Sequence, residues 1–185
     1  LLGEAWAKKL DYNIALGDGT TQPEGLFTAA GITTITCDNT TVGPPTLNDY
    51  TSLMFSIGKQ YRQPGSCRFV SNDTTYARSR GIRVDPHAIG TTVNQTPVLS
   101  DVNSFMNYQT LGWGHSVQND IANGRCIFGA LKKYRMYRRT GLEIEVQTAG
   151  KTLALANKAL ITARARFAGR IVDASAFAKW TAGQS

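Results

Sequence analysis

An α+β fold is predicted for this chain of 185 residues, and three observations predict it. Apolar stripes with helical spacing open the chain and recur after Thr46, and β-branched and aromatic runs of strand length fill much of the remainder. The hydrophobic content of 42% is enough to build a core, and the length suits one large domain or two small interlocked ones.

Leu2, Trp6 and Leu10 fall at four-residue steps, with Ala5, Tyr12 and Ile14 extending the apolar side and Glu4, Lys8 and Lys9 left to solvent. Gly17 stops this helix. The loop that follows, through Leu26, is punctuated by glycine: Gly19 and Gly25 are expected to adopt backbone angles closed to other residues, and Pro23 fixes its own φ and biases Gln22 toward an extended form. Gly17, Gly19, Pro23 and Gly25 therefore read as a structural joint. A phosphate loop is excluded, because the glycines follow a helix and no Lys lies among them. The alternating acidic ligands of a calcium loop are missing too.

Ile32 to Thr36 is β-branched enough for a short strand. Thr46, with Asp49 in the first turn, caps a helix whose stripe is Leu47, Tyr50, Leu53, Met54, Ile57 and Tyr61, and Gln63-Pro64-Gly65 stops it. Cys67, Phe69 and Val70 predict a buried strand. Ser71 and Asn72 then cap a short helix through Thr75, Tyr76 and Arg78, ended by Gly81. From Ile82 to Gln118 the pattern is weak: Asp85-Pro86 and Gly90 mark loops, and Val102, Phe105 and Met106 fit one helical turn.

Cys126-Ile127-Phe128 is a compact apolar run. Lys133 to Tyr137 predicts a strand that Arg139-Thr140-Gly141 turns back into Leu142, Ile144 and Val146, a β-hairpin. Between Leu153 and Phe167 two periodicities compete. Leu153, Ala156, Asn157, Leu160 and Ile161 share a helical face, whereas Ala159, Ile161, Ala163, Ala165 and Phe167 alternate with Lys158, Thr162, Arg164 and Arg166. A strand is expected for the second half. Gly169 allows a turn toward Ile171-Val172, and Phe177 and Trp180 anchor a last short segment.

The formal charge of +7 and pI near 9.5 favour an acidic partner: nucleic acid, an acidic protein, or a complementary face of another copy. The excess concentrates in Lys132, Lys133, Arg135, Arg138 and Arg139, candidate contacts to a neighbouring subunit or to nucleic acid, and again at Arg164, Arg166 and Arg170. Tyr134 and Tyr137 lie among the first group, as stacking on bases requires, but an amphipathic hairpin at a subunit boundary has the same composition.

Catalytic chemistry finds little support. His87 and His115 are the two histidines, no GxSxG elbow is present, and Ser66-Cys67 has no base nearby in sequence. Cys37, Cys67 and Cys126 form no CxxC pair and read as reduced packing residues, so no metal or cofactor is implied. Asn39, Asn72 and Asn94 open N-glycosylation sequons, read here as turn and cap residues. No apolar run is long enough to cross a bilayer, and the start does not resemble a secretion signal. A soluble intracellular protein without a membrane partner is the expectation.

Three blocks of this order carry a family resemblance: the first helix with Gly17-Asp18-Gly19-Thr20, Gln22-Pro23 and Gly25-Leu26; Tyr61 through Tyr76 with Phe69-Val70-Ser71-Asn72; and Thr110-Leu111-Gly112, Phe128-Gly129, Tyr134 to Glu145, Arg164, Arg166, Gly169 to Asp173 and Ala176-Phe177. In these blocks the chain resembles the C-terminal part of tailed-bacteriophage major capsid proteins of the Hong Kong 97-like fold. It departs at Ala130, where an acidic residue commonly follows the Phe-Gly pair, and Ile82 to Asn107 carries little family signature.

The resemblance implies an α+β capsid fold, with a peripheral domain (spine-helix end plus long antiparallel sheet) at 1–20 and 133–167 and an inserted axial domain at 21–132 and 168–185. It implies self-assembly through hexamers and pentamers into an icosahedral shell around double-stranded DNA, with scaffold, portal and maturation protease as further partners, in a virion capsid assembled in the host bacterial cytoplasm. The chain then starts near the end of the spine helix, and a fragment lacking the N-terminal arm and extended loop is expected. Some relatives crosslink a Lys of that loop to an Asn of the peripheral domain, and Asn157 lies near the corresponding strand. The alternatives are an encapsulin-like compartment around protein cargo and a basic nucleic-acid-binding domain.

Overall fold

The computed structural model describes residues 2–37, 45–82, 108–147 and 159–181. The opening helix α1 spans Leu2–Leu16 and turns Trp6 and Leu10 inward, with Trp6 edge-on to Phe167 at 5.3 Å; Ala5, expected on that side, is exposed. A short strand β1 (Thr33–Ile35) follows.

Helix α2 (Leu47–Phe55) starts as its sequence dictates. Thr46 Oγ1 accepts from Asp49 N at 3.2 Å while Asp49 Oδ2 accepts from Thr46 N at 2.7 Å, a reciprocal cap that satisfies two otherwise orphaned donors. It ends at Phe55 rather than running to Gln63-Pro64-Gly65. Gly58, which costs about 1 kcal/mol in a helix interior, falls within the span expected to be helical, and the chain passes into turns that still bury Ile57 and half-bury Tyr61.

Strand β2 (Cys67–Ser71) leads into helix α3 (Asp73–Arg80), where Asn72 Oδ1 accepts from Thr75 N at 2.8 Å. Asn72 is thus a buried helix cap. Strands β3 (Gln109–Thr110) and β4 (Trp113–Val117) are joined by Leu111 and Gly112 with φ of 52° and 76°, the sense of turn that matches strand twist. Next come β5 (Arg125–Ala130), a 3-10 turn (Leu131–Lys133), β6 (Tyr134–Gln147), β7 (Leu160–Ile171), a second 3-10 turn (Ala174–Ala176) and β8 (Phe177–Thr181).

Six strands form one sheet in the order β1-β8-β5-β2-β4-β3, parallel at β1/β8 and β2/β4 and antiparallel elsewhere. The core lies between this sheet and α2. Tyr50 of α2 meets Trp180 at 4.7 Å and Phe69 at 5.7 Å, both edge-on, and Phe69 packs on Phe128 at 4.4 Å. Trp180, Phe69, Phe128 and Phe177 are sealed from solvent, each burial stabilising by roughly 2–3 kcal/mol, and Trp180 Nε1 donates to the Gly124 carbonyl at 2.9 Å.

Strands β6 and β7 form a separate two-stranded antiparallel ribbon, and here one expectation is corrected. Arg139-Thr140-Gly141 do not turn the chain. β6 runs straight through them for 14 residues, absorbing one extra residue between Arg138 and Thr140 and another between Thr140 and Glu143. Glycine inside a strand marks a bulge as readily as a turn, and a turn here would leave half of β7 with bare edges on both sides. The strand expected in the second half of Leu153 to Phe167 is β7; its competing helical face at Leu153, Ala156 and Asn157 lies outside the described residues, as do His87, Lys158, the loop marks at Asp85-Pro86 and Gly90, the turn at Val102 to Met106 and the sequons at Asn39 and Asn94.

Candidate assembly surfaces

The loop after α1 returns its backbone onto the helix end. Gly25, Leu26 and Phe27 donate their N–H groups to the carbonyls of Gly17, Ile14 and Ala15 at 3.0, 2.8 and 3.0 Å, using acceptors that a helix C-terminus leaves without partners. Such close approach leaves no room for side chains. A Cβ on Gly25 would stand 2.5 Å from Gly17 N and 2.8 Å from Ala15 O, and one on Gly17 would meet the Pro23 carbonyl and lie 2.5 Å from Asn13 O. Gly25 is therefore required by packing and not, as expected, by a left-handed φ, which among these loop glycines belongs to Gly19 at 74°. Asp18 Oδ1 accepts from Thr20, Thr21 and Gln22 N at 2.9, 3.0 and 2.8 Å, and these donors, with the Thr21 hydroxyl first, hold its carboxyl well below the usual range.

Glu24, which sequence reading passed over, ties this loop to the ribbon's base. Its N–H donates to the Gly169 carbonyl at 2.9 Å, its carbonyl accepts from Tyr134 Oη at 2.9 Å, and its carboxylate accepts from Ile171 N at 3.0 Å. Gly169 makes room for the Tyr134 ring, since a Cβ there would collide with Oη. Lys179 of β8 reaches the same loop further on, donating to the carbonyls of Phe27 at 2.9 Å and Ala29 at 3.3 Å.

Pairing in the ribbon sorts its residues by face, because directly opposed residues project to the same side. One face carries Tyr134 opposite Ile171, Met136 opposite Gly169, Arg138 opposite Phe167, Ile144 opposite Ala163 and Val146 opposite Ile161. Trp6 of α1 packs on it at Phe167, but Ile144, Val146 and Ile161 remain 56%, 59% and 59% exposed. The other face carries Arg135 opposite Arg170, Tyr137 opposite Ala168, Thr140 opposite Arg166, Glu143 opposite Arg164 and Glu145 opposite Thr162.

The basic residues singled out in the sequence do not make one patch. Arg135 and Arg138 lie on opposite faces, Arg139 sits at a bulge, and Lys132 and Lys133 belong to the preceding 3-10 turn, with Lys133 Nζ 6.0 Å from the Tyr61 ring. Instead Arg135 is joined across the strands by Arg170 and, two rows on, by Arg166. The alternation around Arg164 and Arg166 showed that a face existed; the partner strand and register were not readable from it. Asn157 lies outside the described residues.

Interior polar groups form a hydrogen-bonded core and not a reactive site. His115 Nε2 is 2.8 Å from Ser71 Oγ and Nδ1 is 2.9 Å from Thr110 Oγ1, all three buried. Ser71 donates its proton to the Asn72 carbonyl at 3.1 Å, so Nε2–H donates to Ser71 and Nδ1 accepts from Thr110: the imidazole is neutral and activates nothing. Burial holds its pKa down at about 3. Burial likewise pushes the Cys67 and Cys126 thiols up, opposite to the shift a reactive cysteine needs. A cleft of about 380 Å³ between α1 and the sheet is lined chiefly by Ile14, Leu26, Val70, Val117 and Leu131. Among the described residues no group of three His, Cys, Asp or Glu is placed to hold a metal ion.

Likeness to solved structures defines the class. A capsid chain of an empty GTA particle superposes with a TM-score of 0.77 at 16% identity, covering 98% of this chain and 63% of its own length. A chain of Gordonia phage Cozz gives 0.58 at 13%, with 99% and 61% covered, and one of the holo-SrpI encapsulin complex from Synechococcus elongatus gives 0.59 at 13%, with 96% and 61% covered. The fold is the α+β fold of Hong Kong 97-like capsid proteins, and the chain spans about three-fifths of the length of the chains it matches. Residues 1–182 match the phage capsid family, and the chain belongs to that family, which is structural and not enzymatic. No curated protein matches it in sequence.

Proposed function

We propose that this chain is the shell-building part of a major capsid subunit, which assembles through hexamers and pentamers into an icosahedral shell around double-stranded DNA in the cytoplasm of a bacterial host. The observation that carries this reading is the ribbon. A two-stranded β structure is at best marginal alone in water, yet this one displays Ile144, Val146 and Ile161 on one face and Tyr137 on the other, each more than half exposed. Clustered apolar side chains of this kind belong to surfaces that other polypeptide covers. Repeated contacts close into a shell only when interface angles fit its symmetry, so a rigid subunit is needed. The glycine-packed loop and Glu24 supply that rigidity between α1, the ribbon and the sheet.

On this reading residues 1–20 and 133–167 form the peripheral domain, 21–132 and 168–185 the axial domain, and Gly17 through Gly25 the joint between them. Scaffold, portal and maturation protease are partners of the whole protein. A second reading, a compartment around protein cargo, is favoured by the likeness to the SrpI encapsulin complex. Expression of the full reading frame, followed by sedimentation and analysis of particle contents, decides. Shells with nuclease-protected DNA support the first reading, shells holding protein alone support the second, and a persistent monomer overturns both.

A further inference from the structure

The chain enters β5 through the turn Ala122-Asn123-Gly124-Arg125, closed by Arg125 N donating to the Ala122 carbonyl at 3.3 Å. Gly124 takes a φ of 70° while Asn123 keeps a negative φ, which makes this a type II turn. Asn-Gly is the sequence most prone to lose its side-chain amide. With no side chain on the glycine to obstruct it, the glycine nitrogen can attack the asparagine Cγ and close a five-membered succinimide ring. Asn123 is exposed, so water reaches it freely. The dipeptide is nevertheless pinned. Gly124 N donates to the buried Thr75 Oγ1 at 2.9 Å, the Gly124 carbonyl accepts from Trp180 Nε1 at 2.9 Å, and Asn123 Oδ1 accepts from Asn72 Nδ2. Asn72 and Thr75 are themselves joined, as the cap of α3 and the residue whose N–H it accepts.

We propose that Asn123 is a latent modification site, an intramolecular deamidation centre that Asn72 and Thr75 keep closed for as long as α3 is docked on this turn. Two features block the reaction in the closed form. Ring closure requires the Gly124 nitrogen to give up its proton and face Asn123 Cγ, but that N–H is committed to Thr75. A type II turn also sets ψ of its first central residue near about +120°, and the succinimide ring needs the opposite sign. The nucleophile therefore stands on the wrong side of its target. Once α3 lifts, the Gly124 N to Asn123 Cγ bond forms and the Cγ–Nδ2 bond breaks. Ammonia leaves with the proton from Gly124 N, and a water molecule then opens the ring to aspartate or isoaspartate. Isoaspartate adds a backbone carbon ahead of Gly124 and draws its carbonyl off Trp180 Nε1, so an opening that reacts cannot be reversed. The step needs no partner other than solvent, and it stands apart from the shell reading.

The test incubates the product of the full reading frame, folded or in urea, at neutral pH. Peptide mapping reads conversion at Asn123 by the mass gain of amide to acid, and enzymatic methyl labelling counts isoaspartate. Folded wild type is expected to convert at least about tenfold more slowly than the chain in urea, because only the open population reacts. Thr75→Val removes the acceptor and keeps the shape, and is expected to speed conversion of the folded protein about fivefold, the effect of one lost hydrogen bond. Thr75→Ser keeps the hydroxyl and is expected to convert like wild type. Circular dichroism confirms that each variant folds. Should Thr75→Val not fold, hydrogen exchange of wild type decides: a protected Gly124 amide supports the clasp, and exchange at the rate of an open chain overturns it. Equal conversion of wild type with and without urea overturns the proposal, as does a folded Thr75→Val that converts no faster than wild type. None of these results depends on association, so a protein that never assembles removes the shell reading and leaves this one standing.

Discussion

Replacing Gly25 with alanine tests the joint at the scale of a single methyl group. The added Cβ would lie 2.5 Å from Gly17 N and 2.8 Å from Ala15 O, about 1 Å inside ordinary contact, and both neighbours are backbone atoms with no rotamer to give way. Relief requires the loop to lift from the helix end. That stretches three hydrogen bonds, Gly25 N to Gly17 O, Leu26 N to Ile14 O and Phe27 N to Ala15 O, now at 3.0, 2.8 and 3.0 Å. At a net value of about 1 kcal/mol for each bond, the expected loss is roughly 3 kcal/mol, and a chain of this size then melts about 6–12 °C lower. Gly3→Ala is the matched control. Gly3 lies in the first turn of α1 with nothing near its Cβ direction, so alanine there is expected to leave stability unchanged or to raise it by less than about 1 kcal/mol. Circular dichroism melts at one scan rate compare the two. A Gly25→Ala midpoint within about 2 °C of wild type refutes the close-packed joint.

Other expectations follow from the same geometry. His115 is neutral in the fold with a pKa near 3, against an ordinary value of 6.5, so the folded state binds fewer protons than the unfolded one between those values. Its contribution is complete above about pH 6.5 and is lost as pH falls toward 3; compared with His115→Gln, wild type is expected to lose up to about 1.4 kcal/mol more per pH unit in denaturant titrations over that window, and parallel curves contradict this. Tyr134→Phe removes one hydrogen bond to the Glu24 carbonyl and costs about 1 kcal/mol, whereas Gly169→Ala displaces the whole ring and is expected to cost more; the reverse order by thermal melt contradicts the packing at the ribbon's base. Ile144→Ser with Val146→Ser leaves the melting midpoint nearly unchanged, because both side chains are already more than half exposed, but lowers the yield of assembled particles seen by light scattering.

Local chemistry was the legible part of the fold. Thr46 and Asp49 announced α2, Asn72 announced α3, and the Cys67-Phe69-Val70 run announced β2, because caps and buried strands are decided by neighbours a few residues away. The pairing of β6 was misread for a matching reason. Thr140-Gly141 suits a turn and a bulge equally, and the choice is made by β7, which begins more than a dozen residues beyond the end of β6. Parallel pairing of β1 with β8 joins Thr33 to Ala178, a distance in sequence over which periodicity carries no information. The loop at Gly17 to Gly25 was recognised as architecture, yet its mechanism differed at Gly25. Glu24 gave no sign of its three bonds, since they go to backbone atoms and one hydroxyl that any sequence offers. His115 looked isolated because Ser71 lies on a different strand and Thr110 beyond a hairpin turn.

Cryo-electron microscopy of particles purified from cells expressing the full reading frame tests the shell reading most directly. A closed shell of hexamers and pentamers is expected, with both faces of the β6–β7 ribbon covered by polypeptide and the Gly17 to Gly25 loop packed on the end of α1. Monomers alone, or a shell in which both ribbon faces stand bare to solvent, would contradict it.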